Sequence, residues 1–300
     1  MLGPDTLQQR VEDARKLASP CMLCGRRCRA ERFGRAGSGE QARVDGVCKT
    51  GRKAVVSSHG PHFGEEPPIT GYQGSGTIFF ACCNLKCMFC QNYQIAHLGE
   101  GYEVDDASLA AIMISLQKAG CHNINLVSPT HVVPQILSAL AIAVKEGLNI
   151  PLVYNSGGYD LPETINLLSG IVDIYMPDMK FSSGEAAKMC LQAPDYPEVN
   201  FRAVQEMHRQ VGDLVTDRQG IAVRGLLVRH LVLPGDLTGT AGVMKFISEK
   251  ISKDTYINIM DQYYPCHKAV GHPLLGRRIT GQEHRRALDI ARSFELTRLG

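Results

Sequence analysis

Between residues 77 and 260 short apolar runs recur at regular intervals, separated by stretches whose apolar positions follow the period of a helix. The runs at 77–81, 123–127, 152–154, 171–175, 226–233 and 256–260 have the length of strands buried on both faces. The stretches at 109–118, 132–145, 162–168, 201–211, 243–250 and 283–297 read as helices. Six strand-then-helix units predict an α/β fold with a parallel sheet and helical crossovers. The third strand is the weakest of the six, with Pro151 before it and Asn155-Ser-Gly-Gly158 ending it. Asp217-Arg-Gln-Gly220 reads as a turn before the fifth.

Upstream the pattern changes. Residues 7–17 suit a short helix, followed by cysteines and a Gly-rich, charged stretch to Cys48. Residues 51–76 are rich in Gly and Pro and read as a long connecting loop, of the kind that covers or lines a site. The expected organisation is a metal-binding extension over 1–50, the connecting loop over 51–76, the main α/β unit over 77–270 and a helical C-terminal segment over 271–300.

Composition narrows the function classes. With 300 residues, 44% of them hydrophobic, the chain can bury a full core. A formal net charge of +2 gives no reason to expect nucleic acid as a partner. The basic stretch from Arg26 to Arg35, interrupted by Glu31, reads as a solvated face around a metal knuckle. No apolar run reaches the ~18 residues that span a bilayer, and the first twenty residues lack the apolar centre of a signal peptide. The cytoplasm is therefore the expected location, with no membrane partner.

Eleven cysteines are too few for a disulfide scaffold of this length, and they cluster, which in a reducing compartment reads as metal ligation. Cys83-Asn-Leu-Lys-Cys87-Met-Phe-Cys90 follows the first predicted strand directly. Three thiolates from one loop can hold an inorganic core yet leave one metal position without a protein ligand, as catalytic sites require. Spacing alone does not separate iron–sulfur from zinc. Cys82, next door, reads as a small buried hydrophobe. Cys21, Cys24, Cys28 and Cys48 supply four thiolates, enough for a structural zinc or a second cluster, unless one of them is unligated.

The three-cysteine spacing, with Phe89 just before the last cysteine and a strand just before the first, resembles the signature of the radical S-adenosylmethionine (radical SAM) superfamily. The wider stretches at 60–69 and 76–93 resemble an uncharacterised branch related to pyruvate formate-lyase activating enzymes. The resemblance implies a partial (β/α)6 TIM-like barrel and a 4Fe-4S cluster on Cys83, Cys87 and Cys90 as the catalytic centre. S-adenosylmethionine would bind the fourth iron. One electron would then cleave it to methionine and a 5'-deoxyadenosyl radical that takes hydrogen from the substrate.

Parallel barrels carry their chemistry at the C-terminal ends of the strands, and polar groups recur there. By resemblance, Ser128 and Thr130 stand where the family carries a Gly-Gly-Glu segment for the methionyl amino group; the glutamate is absent here. Asn155 and Ser156 resemble a ribose-binding pair, and Asp178 and Lys180 an Asp-x-Lys segment whose lysine meets the cofactor carboxylate. Gly235 would admit adenine closely, His267 resembles a histidine near the ribose, and Phe89 would pack on adenine or shield the cluster. Each segment also has the composition of an ordinary strand-to-helix loop.

The expected function is a radical SAM oxidoreductase of activating-enzyme type, served by a low-potential electron donor such as flavodoxin or ferredoxin and acting on a protein substrate, a glycyl-radical enzyme. The alternatives are a small or nucleoside-like substrate, and, in another class, a non-catalytic iron–sulfur electron carrier or regulator. His59, His62, Glu65 and Glu66 lie together before the first strand, either to cap the barrel or to handle substrate.

Overall fold

The computed structural model describes residues 3–33 and 46–300; Arg35 of the basic stretch and the Gly-rich part of the extension lie outside the described residues. Helix α1 (Pro4–Leu17) begins with Pro4, whose missing N–H costs nothing in a first turn. Its Leu7, Val11 and Ala14 fall on one face and are buried in the main core.

The segment expected as a loop over 51–76 is largely regular. It holds strand β1 (Ala54–His62) and a single helical turn, α2 (Pro67–Thr70). Strand β1 runs antiparallel to β2 (Ser75–Phe80), and the short β3 (Tyr102–Val104) pairs with the start of β1. Gly and Pro hid this strand because they sit at its far end, where β3 no longer pairs; Pro61 is tolerated at such an edge.

The alternating pattern then takes over: α3 (Asp106–Lys118), β4 (Ile124–Val127), α4 (Val133–Ala143), β5 (Leu152–Ser156), α5 (Pro162–Leu167) and β6 (Ile174–Pro177). Two helices, α6 (Gly184–Leu191) and α7 (Tyr196–Val211), follow. Next come β7 (Val215–Thr216), β8 (Ala222–Leu231), α8 (Thr240–Phe246), β9 (Tyr256–Met260) and α9 (Gly281–Ser293). The expected turn at 217–220 joins β7 to β8, closed by Gly220 N–H donating to Asp217 O at 3.1 Å.

Strands β2, β4, β5, β6, β8 and β9 pair in parallel in that order, forming the open, partial (β/α) barrel, with β1 and β3 extending the β2 edge. The weakest expected strand, β5, is central and wholly buried. Outward residues such as Leu126, Tyr154 and Val228 pack under the helices, and α1 lies on α4 and α5. Inward residues alternate with them. Ile69 of α2 packs among Val153, Ile174, Met176 and Leu227 inside the barrel, so α2 plugs its lower end, and Asn123 Nδ2 donates to Ile69 O at 2.8 Å to hold the plug.

Among the described residues no helix is long and apolar enough to cross a membrane.

Candidate active site

At the C-terminal ends of the parallel strands lies a cavity of about 250 Å³. Cys83, Cys87 and Cys90 line it together, because the chain leaving β2 turns sharply through Cys82 (φ 68°) and Lys86 (φ 55°), both left-handed. Imidazoles fix the two ends of this turn. His131 donates from Nε2 to Ala81 O at 2.7 Å, and His97 from Nε2 to Cys87 O at 3.0 Å. Burial, with His267 beside it, lowers His97 to about 4, and burial lowers His131 to about 3, so both rings stay neutral donors.

Arg26 braces the same loop from the N-terminal extension. Its guanidinium donates to the carbonyls of Asn84 (3.0 Å) and Leu85 (2.8 Å), and to those of Leu191 (2.7 Å) and Gln192 (2.7 Å) at the end of α6. Gly25 next to it admits no side chain, since a Cβ would come within 2.3 Å of the Tyr159 ring. Replacing Arg26 with Ala is expected to speed amide exchange of residues 84–87 by roughly tenfold or more, with little change in α9, as hydrogen-exchange mass spectrometry would read. Equal exchange in both proteins would remove Arg26 from this role.

The opposite wall comes from β5, β6 and β8. Asn155, Ser156, Gly157, Asp178 and Lys180 line the cavity, as do Ser128, Phe89 and Arg229. Gly157 lets the cysteine loop approach closely: a Cβ there would fall 2.4 Å from a Leu85 methyl and push that side chain aside. Lys180 Nζ bonds Asp178 Oδ2 at 2.5 Å, and the Tyr196 hydroxyl accepts from Lys180 N at 3.1 Å. Asn200 Nδ2 reaches Asp178 O at 2.9 Å and Gly158 O at 3.0 Å, fixing both strand ends.

Arg229, on the inward face of β8, ties this wall together. It donates from Nε to Asp178 Oδ1 (2.9 Å) and from Nη2 to Asn155 Oδ1 (2.7 Å), and Glu65 and Glu66 approach it at 3.7 and 3.9 Å. Burial opposes ionisation of Asp178, but Arg229 and Lys180 outweigh it and hold the carboxyl below its ordinary range. Burial outweighs Arg229 at Glu65 and pushes that carboxyl up. Sequence reasoning missed Arg229; the signal was a charged residue at an inward position within the apolar run 226–233.

Three further residues expected at the cofactor lie outside this lining. Thr130 is buried beside Asp160, a carboxyl that also accepts from Tyr154 (2.7 Å) and Ser156 (2.9 Å). Gly235 lies in a separate small pocket, its N–H donating to Glu283 at 2.7 Å. His267 stacks on Tyr93 at 4.9 Å between ring centres, behind the cysteine loop.

Burial drives two of the thiols up: Cys90 to about 11, with Cys83 adding to the shift, and Cys87 further, with Lys180 opposing and Cys90 and Cys83 adding. Three thiols facing one cavity, Cys87 buried and Cys83 and Cys90 half-buried, suit a cationic inorganic core, which would favour their thiolates. Among the described residues no three Cys, His, Asp or Glu side chains converge on a single-ion site. A multi-metal cluster asks for a different arrangement, with thiolates spread around its corners. Cys24 is buried near Cys21 and Cys48, and burial raises it to about 12; Cys28 lies near Cys21.

A sequence profile of the radical SAM superfamily matches residues 77–218, from β2 through the cysteine loop to the β7 turn. An uncharacterized protein of Methanocaldococcus jannaschii is 31% identical over 302 residues, spanning 98% of this chain and 80% of that protein. The chain belongs to the radical SAM superfamily. Membership carries enzymatic potential at the level of the superfamily, and the α/β barrel with its N-terminal cysteines accords with it. The match ends short of β8 and β9, so Arg229 and the last two barrel strands come from this chain's own structure.

Proposed function

We propose that this radical SAM chain is an enzyme that binds a 4Fe-4S cluster on Cys83, Cys87 and Cys90 and S-adenosylmethionine in the adjoining cavity. The observation that carries this reading is the meeting of those three cysteines with Asn155, Asp178 and Lys180 around one cavity at the C-terminal strand ends. Reduced and loaded, the cluster would supply the electron that cleaves the cofactor's sulfonium bond and yields a 5'-deoxyadenosyl radical for hydrogen abstraction.

The chain's own groups then have distinct tasks. Lys180, oriented by Asp178, offers its remaining N–H donors to a carboxylate. Asn155, held by Arg229, and Ser128 present polar edges to a ribose or an amino group. The Ser156 hydroxyl donates to Asp160 and accepts from Gly158 N–H, so its part is to shape the wall. Phe89 packs edge-on against Phe181 and Tyr263, 6.2 and 6.1 Å between centres, and keeps water from the thiolates.

For the substrate, a small molecule would be held in the cavity, which α2 closes from below. Activation of a glycyl-radical enzyme, the other reading, would require a protein loop to enter from above. A low-potential flavodoxin or ferredoxin would serve as reductant. Cys21, Cys24, Cys28 and Cys48 would hold a zinc or a second cluster. Metal analysis after anaerobic purification tests both cysteine sets: about 4 irons with about 1 zinc, or about 8 irons, is expected, and fewer than about 3 irons after reconstitution would oppose the reading.

A further inference from the structure

The N-terminal cysteines stand apart from the cavity set in sequence but not in space. Cys21, Cys24 and Cys48 are buried and Cys28 is half-buried. Cys48 and Cys21 are near enough to Cys24 to oppose its ionisation, and Cys28 opposes that of Cys21 in the same way. Yet among the described residues, which include all four, no three metal-ligating side chains come together as a single ion requires. Zinc would draw four sulfurs to about 2.3 Å from one point, whereas an iron–sulfur cluster spreads them around its corners. Both cysteine sets therefore gather their sulfurs in one neighbourhood without closing on one point.

The backbone also treats the two sets alike. The N–H two residues further on donates to the sulfur at Cys21 (from Leu23) and Cys24 (from Arg26), as it does at Cys83 (from Leu85, 3.4 Å) and Cys90 (from Asn92). Such bonds favour thiolates and tune the potential of an iron–sulfur centre. Buried Arg32 adds a cation, its Nη1 3.9 Å from Cys21 Sγ, where four thiolates around a core would leave net negative charge.

Asn84 links the sets. It is buried, with Cys83 Sγ 3.8 Å from its Oδ1, while its Nδ2 turns toward the Cys24 sulfur and has no other partner. Cys82 has Cys48 and Cys83 as neighbours in turn. One side chain thus separates a ligand of the N-terminal set from a ligand of the cavity set, and Cys28 brings the N-terminal set toward solvent. A structural zinc, which has no redox chemistry, would use neither feature.

Resting on the proposed cavity cluster, we infer that Cys21, Cys24, Cys28 and Cys48 hold a second iron–sulfur cluster, not zinc, through which the electron of a low-potential carrier protein reaches the first. One-electron oxidation of the carrier balances one-electron reduction of the cavity cluster, and the second cluster returns to its starting state.

The test reads metal and spectra on the full-length chain, purified anaerobically and reconstituted with iron and sulfide. The variant with Cys83→Ala, Cys87→Ala and Cys90→Ala is expected to keep about 4 irons, against about 8 in the wild type, and to give an electron paramagnetic resonance signal on reduction with dithionite. In the reduced wild type the two neighbouring centres should split each other's signals, a splitting this variant lacks. In a variant with Cys24→Ala and Cys48→Ala, reduction of the cavity cluster by flavodoxin should slow by at least about tenfold relative to reduction by dithionite, a small reductant that needs no relay. A first variant with wild-type circular dichroism but no iron overturns the second cluster. An unsplit wild-type signal, or an unchanged ratio of flavodoxin to dithionite rates, overturns the relay. An iron-free first variant of a chain that does form 5'-deoxyadenosine rejects the second cluster alone. About 4 irons in that variant, when the wild type forms no 5'-deoxyadenosine, upholds the second cluster and rejects the proposed reaction.

Discussion

Cys87→Ala is expected to abolish reductive cleavage of S-adenosylmethionine, with the rate falling by at least about 100-fold, more than the loss of a supporting group around a metal site usually brings. Cys87 is 9% exposed and sits between the other two cavity cysteines in sequence, with its carbonyl pinned by His97. Two thiols would remain to hold a core suited to three. Cys121→Ala is the control: Cys121 is 3% exposed and belongs to the apolar core away from the cavity, so its loss is a packing change. Iron content and 5'-deoxyadenosine formation, measured on both variants, separate the roles. A Cys87 variant within a few-fold of wild type would remove the loop from the chemistry.

Arg229→Met is expected to cost the fold about 3–5 kcal/mol at neutral pH, because it removes a cation from among three carboxylates in a buried place. The loss has a definite pH dependence. In the native chain Asp178 is held below its ordinary range, so its ionisation contributes stability that is full above the unfolded value and disappears as pH falls through the depressed one. Without Arg229 that contribution shrinks, and the neighbouring carboxyls bind protons more readily. The gap between wild type and variant should therefore be full near about pH 7 and narrow near about pH 3, as pH falls through the depressed Asp178 value. Denaturant melts at both values check this, and a gap independent of pH would mean that lost packing, not charge, is what the variant reports.

How far the sequence foretold the molecule depended on which physical signal each element carried. The six parallel strands were legible because strands buried on both faces are short apolar runs with helices between them. Their edges moved by a few residues: Ile171 and Val172 are apolar and buried, yet they belong to the turn before β6, which begins at Ile174. Strand β1 was not legible, since Gly60 and Pro61 mask a pairing that only the neighbouring β2 reveals. Helix α6 was passed over because its eight residues are too few for a clear period.

The site divides in the same way. The three cavity cysteines announce themselves by spacing along one loop. Asn155, Asp178 and Lys180 follow from the rule that barrel chemistry gathers at strand ends. Arg229 was hidden inside a strand, where an apolar run draws attention away from its polar members. Whether such a residue points inward depends on register, which a single sequence does not specify. Thr130, Gly235 and His267 were placed by family resemblance, and in this chain their partners are Asp160, Glu283 and Tyr93.

The N-terminal extension also changes meaning once folded. Arg26 spans from the Cys21 to Cys28 segment to the carbonyls of Asn84 and Leu85, so the extension bears on the cysteine loop directly. A metal centre held by the first four cysteines would stiffen that brace.

The most direct test of the central claim is a product assay on the reconstituted, reduced, full-length chain supplied with S-adenosylmethionine. The account predicts 5'-deoxyadenosine and methionine in equal amounts, formed only when reductant and cluster are both present. A chain with an intact, reducible cluster that forms no 5'-deoxyadenosine would contradict it and leave an electron-transfer or regulatory role in its place.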